Sequence, residues 1–122
     1  MAHKLESALE GGMLRVRIGG EREPNSALQI IGEVWQLVQQ PGVKALLVDL
    51  RQLQGRATLS ETYFSIRNYP IAGIRMRCAV IELPQHMDRA SFHDTAAGNL
   101  GFSIKHFIEE ADAVEWLNEV FA

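Results

Sequence analysis

The chain has 122 residues, of which 47% are apolar and 22% charged, and it carries a formal net charge of −3 with a pI near 5.8. That length and balance suit one globular domain, residues 1–122, with one sizeable core, and they exclude a disordered chain. The acidic excess argues against nucleic acid as a partner, because tracking a phosphate backbone calls for a basic surplus.

No apolar run approaches the roughly 20 residues of a bilayer span, and no basic-then-apolar segment opens the chain. A cytoplasmic protein without an integral membrane segment is expected. The one cysteine, Cys78, lies in the apolar run "CAVIEL". It excludes an internal disulfide and a multi-cysteine metal site, and it reads as a buried, inert thiol.

In chain order, "HKLESALEGGMLRVRIGG" gives two alternating runs about Gly11-Gly12, which predicts a β-hairpin. From Asn25 to Gln40, the residues Ala27, Ile30, Ile31, Val34, Trp35, Leu37 and Val38 fall on one helical stripe. Asn25 or Ser26 would cap this helix, and Pro41-Gly42 would end it. "VKALLVDL" is a nearly continuous run of β-formers, as in a strand covered on both faces. Residues 59–69 predict a helix with Leu59, Tyr63, Ile66 and Phe64 turned inward, closed by Pro70.

"IRMRCAVIEL" is a further interior strand. A helix follows over about 88–98, with His93 and Asp94 on its surface. "FSIKHFI" is a short strand, and "EEADAVEWLNEVFA" is a last helix with an acidic start and Ala113, Val114, Trp116, Leu117, Val120 and Phe121 as its stripe. The predicted fold class is α/β: a mixed five-stranded sheet with an N-terminal hairpin and four helices, in the order ββαβαβαβα. In such sheets, partners and ligands meet the loops at the carboxyl ends of the parallel strands. Here those loops are 51–58, 83–89 and 108–110.

Two segments, "VKALLVDLRQLQG" and "AAGNLGFSIKHFIEEADAVEWL", resemble the STAS family, and within it the SpoIIAA-like, anti-sigma-factor-antagonist-like bacterial proteins related to CRAL-TRIO lipid carriers. The resemblance implies a non-enzymatic interaction and regulatory module with a protein partner. It also implies a kinase-phosphorylated serine in an Asp-Ser-Ser-Gly motif soon after the Asp-Leu strand end. This chain has "RATLSE" there, so the motif is missing, and Thr58 and Ser60 are the candidate phosphorylation positions. The lipid-carrier kinship implies the alternative of a lipid or small-ligand module.

Read from its own residues, Thr58 with Glu61 three positions on is a capping box: the hydroxyl accepts from the Glu61 N–H, and the Glu61 carboxylate returns to the Thr58 N–H. A phosphate at this helix start would be favoured by the dipole and held by Arg56, while Glu61 would oppose it. Arg51, Arg56, Glu61, His86, Asp88 and Arg89 make up the candidate interaction edge, with the three arginines able to receive an anionic group. His86 and Asp88 form an acid–base pair on paper, though a solvated loop histidine is the plainer reading. His3, His86, His93 and His106 fit no metal spacing, and no elbow, Walker or dinucleotide motif occurs. The expectation is therefore no catalytic residue, no metal and no cofactor. The hairpin and an exposed sheet edge are the candidate surfaces for homodimerisation.

Overall fold

The computed structural model of the chain describes residues 3–24, 26–70 and 76–121. Strands β1 (His3–Glu10) and β2 (Met13–Glu21) form the hairpin. Gly11 and Gly12 both take positive φ in its two-residue turn, the conformation that matches the twist of paired strands and that side chains resist. Helix α1 is Ala27–Val38, β3 is Ala45–Asp49, α2 is Leu59–Ile66 and β5 is Arg77–Ile81. Then follow α3 (Met87–Asn99), β6 (Ser103–Phe107) and α4 (Glu110–Asn118).

A two-residue strand, β4 (Leu53–Gln54), lies between β3 and α2 and pairs with the end of β2. The sequence reading did not anticipate it, because two residues leave no periodicity to read. The sheet order is β1-β2-β3-β5-β6, with β4 beside β2. β1 runs antiparallel to β2, and all other pairings are parallel.

Alternation sorts the strand residues onto two faces. Leu14, Val16 and Ile18 of β2, Leu46 and Val48 of β3, and Val80 of β5 share one face with Val34 and Val38 of α1. Met13, Ala45, Leu47, Ala79 and Ile81 face the other way, onto Ala113 and Leu117 of α4. Helix α4 therefore covers one face alone. Helices α1, α2 and α3 share the other, with Ile66, Ala97 and Phe102 joining α2 and α3 to its edge. Within the α4 stripe, Val120 and Phe121 prove exposed. They lie in a 3-10 turn past the helix end, where the helical stripe no longer applies.

Two predicted details of the helices differ. The Ser26 hydroxyl does not cap α1; it donates to the Glu23 carbonyl instead. Asn25, its alternative as a cap, and Arg75, ahead of β5, lie outside the described residues. The buried face of α2 is Thr62, Ser65 and Ile66, while Leu59 (54% exposed), Tyr63 (45%) and Phe64 (64%) point outward. The rotation of α2 is fixed at both ends by other contacts. Its first turn is held by an ion pair between Glu61 and Arg22, and its end is held by Ile66 against Ala97 and Phe102. Those anchors override the apolar pattern of the helix itself.

Candidate functional site

The loops that follow β3, β5 and β6 gather at one end of the sheet, as the parallel pairing requires. The centre of this edge is Glu82, the residue after β5, whose side chain is 0% exposed. Arg56 meets it with two bonds, Nε to Oε2 at 2.9 Å and Nη2 to Oε1 at 2.7 Å. Arg89 adds a contact at 3.3 Å, and the Leu83 N–H donates at 2.8 Å. Burial by itself would raise the Glu82 pKa. The Arg56 hydrogen bonds, the Leu83 N–H and the nearby positive charges outweigh it and hold the carboxyl below its ordinary range.

Arg56 also donates to the carbonyls of Leu53 (2.6 Å), Gly55 (2.8 Å) and Leu50 (2.9 Å). A guanidinium has five N–H donors, and all five are used. Arg56 is thus the tie between the loop 50–57 and the end of β5. It has no donor left for a phosphate on Thr58 or for an anionic head group, which corrects that expectation. Gly55 permits the tie: its φ is +90°, and a side chain there would approach Arg22.

Thr58 is the N-cap of α2, and its Oγ1 accepts from the Glu61 N–H at 3.1 Å. The other half of the predicted capping box is absent, because the Glu61 carboxylate turns to Arg22 instead. Thr58 and Ser60 are both exposed.

Arg51 does not join Arg56 and Arg89. It lies on the α4 side of the sheet, bonded to Asp49 through two nitrogens at 3.0 and 2.9 Å and to Glu110 at 3.2 Å. Burial of Asp49 tends to raise its pKa, and the Arg51 bonds bring the net shift downward. The six edge residues named from the sequence therefore divide. Arg56 and Arg89 converge on Glu82, Glu61 serves α2, and Arg51 serves the opposite face. His86 lies in the 3-10 turn Pro84–His86, and Asp88 is exposed in the first turn of α3. No hydrogen bond joins His86 to Asp88 among the described residues, so the acid–base pair is not formed.

His93 overturns its predicted surface position, and Asp94 beside it is half-buried. His93 is buried; its Nε2 meets the Tyr69 hydroxyl at 2.7 Å, and its Nδ1 meets Asp94 Oδ1 at 3.1 Å. The same Oδ1 receives His106 Nδ1 at 2.7 Å, and Oδ2 accepts the His106 backbone N–H at 2.8 Å. Burial tends to raise the Asp94 pKa, but these donors win and bring it to about 2. Burial lowers the His93 pKa and raises that of Tyr69, so a neutral imidazole accepts from a protonated phenol. Three ligand atoms, one each from His93, Asp94 and His106, lie within 4.8 Å of one another. His93 and His106 both engage Asp94 through Nδ1, and Tyr69 engages His93 Nε2. No sequence spacing signals this grouping, since His106 arrives from β6.

Between the sheet and α1, α2 and α3 lies a cavity of about 190 Å³. Its walls include Ile18, Ile30, Val34, Leu46, Val80 and Ile104. Drug-sized ligands occupy roughly 300–1,000 Å³, and a two-chain lipid does not fit this space. Cys78 also lines the cavity, and burial pushes its thiol up to about 12, so it is protonated at neutral pH as expected.

Together these features define a mixed α/β protein whose parallel sheet presents its loops at one edge beside an exposed helix. The particular architecture is a SpoIIAA-like, or STAS-like, fold, as solved structures of similar shape establish. One is an anti-sigma factor antagonist from Mycobacterium paratuberculosis, with 17% identity over 96% of this chain and 95% of that one, at a TM-score of 0.54. Another is a protein of the DUF3478 family with a SpoIIAA-like fold from Shewanella loihica PV-4, with 15% identity over 94% and 93% and a TM-score of 0.57. A third is the Bacillus cell fate determinant SpoIIAA in its phosphorylated form, with 14% identity over 94% and 98% and a TM-score of 0.51. No family model and no curated protein matches the sequence. No helix among the described residues is long and apolar enough to cross a membrane.

Proposed function

We propose that this chain is a non-enzymatic, STAS-like interaction module that docks a protein partner through α2 and the loop that enters it. The carrying observation is the outer face of α2. Leu59, Tyr63 and Phe64 are all exposed there, and Phe92 of α3 and Leu100 just past its end continue the apolar surface beside Tyr63. Large apolar side chains grouped on an exposed face mark a contact surface, and aromatic residues supply much of the binding energy at such surfaces. The likeness to an anti-sigma factor antagonist and to SpoIIAA supports the reading.

Regulation by phosphorylation fits Ser60 better than Thr58. A phosphate on Thr58 would break the cap and face Glu61. Ser60 lies within the first turn of α2 and leaves the cap in place, at the end of the helix where the dipole favours an anion. Homodimerisation would use the open edge of β1, where Lys4, Glu6 and Glu10 keep the strand charged, a pattern that discourages edge pairing. Docking through α2 is favoured over it.

The test is affinity capture from a native bacterial lysate, with identification by mass spectrometry and reconstitution of the captured pair from purified proteins. Phe64→Glu should retain the parent's melting temperature and lose the partner. Ser60→Asp should change the affinity while Thr58→Ser does not. A reconstituted partner that binds the parent and Phe64→Glu equally would refute docking through α2.

A further inference from the structure

Helix α2 has a second side. Its inner face, Thr62 and Ser65, lines the cavity described above, which the docking face does not use. Among the described residues, two buried side-chain polar atoms have no hydrogen-bond partner, Thr62 Oγ1 and Arg89 Nε. Both residues line this one cavity. Thr62 is 3% exposed. A buried donor without an acceptor costs on the order of 1–3 kcal/mol, and native interiors seldom keep one.

Charge points the same way. Three guanidiniums line the cavity, those of Arg22, Arg56 and Arg89. Two carboxylates answer them: Glu61 is paired with Arg22, and Glu82 is shared by Arg56 and Arg89. Arg56 takes the larger part of Glu82 with its two short bonds, which leaves Arg89 with one long contact and a free Nε–H. Asp94 is engaged by His93 and His106 and is not part of the wall. Burial lowers the Arg89 pKa below its ordinary value, as expected of a cation short of solvation.

We infer that the cavity binds a compact monocarboxylate, with its apolar body among Ile18, Ile30, Val34 and Ile104 and its carboxylate accepting from Arg89 Nε–H and the Thr62 hydroxyl. The volume sets the size. A dry apolar cavity of about 150 Å³ holds a benzene ring, so about 190 Å³ takes one ring or a chain of about six to eight carbons. Water is the competing occupant. It answers the two polar atoms, but it needs two to four polar partners per molecule, and the other polar side chains of the wall are already engaged: Ser65 with the Glu61 carbonyl, Tyr69 with His93, His106 with Asp94, Arg22 with Glu61 and Arg56 with Glu82.

The experiment is an NMR titration of the isotope-labelled chain with 3-phenylpropionate and hexanoate, each against its uncharged amide. The Arg89 Nε–H and Thr62 signals are followed. The acids should shift the Arg89 Nε–H, and the amides should bind about tenfold more weakly, since they lack the charge-assisted bond. Thr62→Val removes the orphan hydroxyl and should fold at least as well as the parent. It should weaken acid binding about fivefold and leave amide binding unchanged. Phe64→Glu should bind the acids like the parent, which separates this cavity from the docking face. Acids and amides of equal affinity would show that the cavity does not recognise a carboxylate, and no Arg89 Nε–H shift up to about 10 mM, a limit corresponding to only a few kcal/mol of binding, would leave water as the occupant; either result overturns the inference.

Discussion

Replacing Arg56 by Met keeps most of the side chain's length and removes every one of its hydrogen bonds. Glu82, at 0% exposure, would then retain the distant Arg89 contact and the Leu83 N–H alone, and the Leu50, Leu53 and Gly55 carbonyls would each lose a donor. Breaking a buried pair from one side costs about 3–5 kcal/mol. At about 2.1 cal/mol/K per residue, unfolding this chain has an entropy near 0.26 kcal/mol/K, so the loss corresponds to a fall in Tm of about 12–19 °C. Thermal melts followed by circular dichroism, with urea titration as a second measure, read it directly.

The deficit should also depend on pH. In the parent, the Glu82 pKa is held below its ordinary range. Its stabilisation is therefore complete at neutral pH and is lost as pH falls through that range and below it. In Arg56→Met the stranded carboxyl is free to take a proton, so the gap between variant and parent should narrow in acid. Adding Glu82→Gln to Arg56→Met removes the stranded charge and should recover at least part of the loss. A single-variant cost under about 1 kcal/mol, or a double variant no better than the single, would refute the buried-pair reasoning.

Other outcomes follow from the same geometry. Thr58→Ala should lose about 1 kcal/mol through the α2 cap, and Thr58→Ser should keep most of it, by urea denaturation. Asp94, with its pKa brought to about 2, contributes roughly 2 kcal/mol at neutral pH, lost as pH falls from the ordinary carboxylate range toward 2. Asp94→Asn should flatten that limb of the stability–pH curve. His93, whose pKa is lowered by burial, adds a loss in the same direction as pH falls below the ordinary histidine range, and Asp94→Asn should leave part of it in place.

The strand–helix order was legible because each long element carries its own period: β2, β3, β5 and α1 announce their faces without help. Thr58 was legible as a cap because caps are local. What escaped was set by partners far along the chain. Helix α2 is rotated away from its apolar stripe by Arg22 and by Phe102. His93 and Asp94 carry polar names on a weakly amphipathic helix, and only β6 brings the His106 that engages Asp94. Nothing in "CAVIEL" marks Glu82, whose partner Arg56 lies 26 positions earlier. Orphan atoms such as Thr62 Oγ1 have no sequence signature at all.

The Arg56–Glu82 tie also bears on how this chain changes through descent. Neither member is replaceable first without stranding the other, so positions 56 and 82 behave as one locus although 26 residues separate them. Substitution of the pair has to pass through a weakened intermediate or occur in a background with stability to spare. Among descendants of this sequence, the two positions should be retained together or lost together.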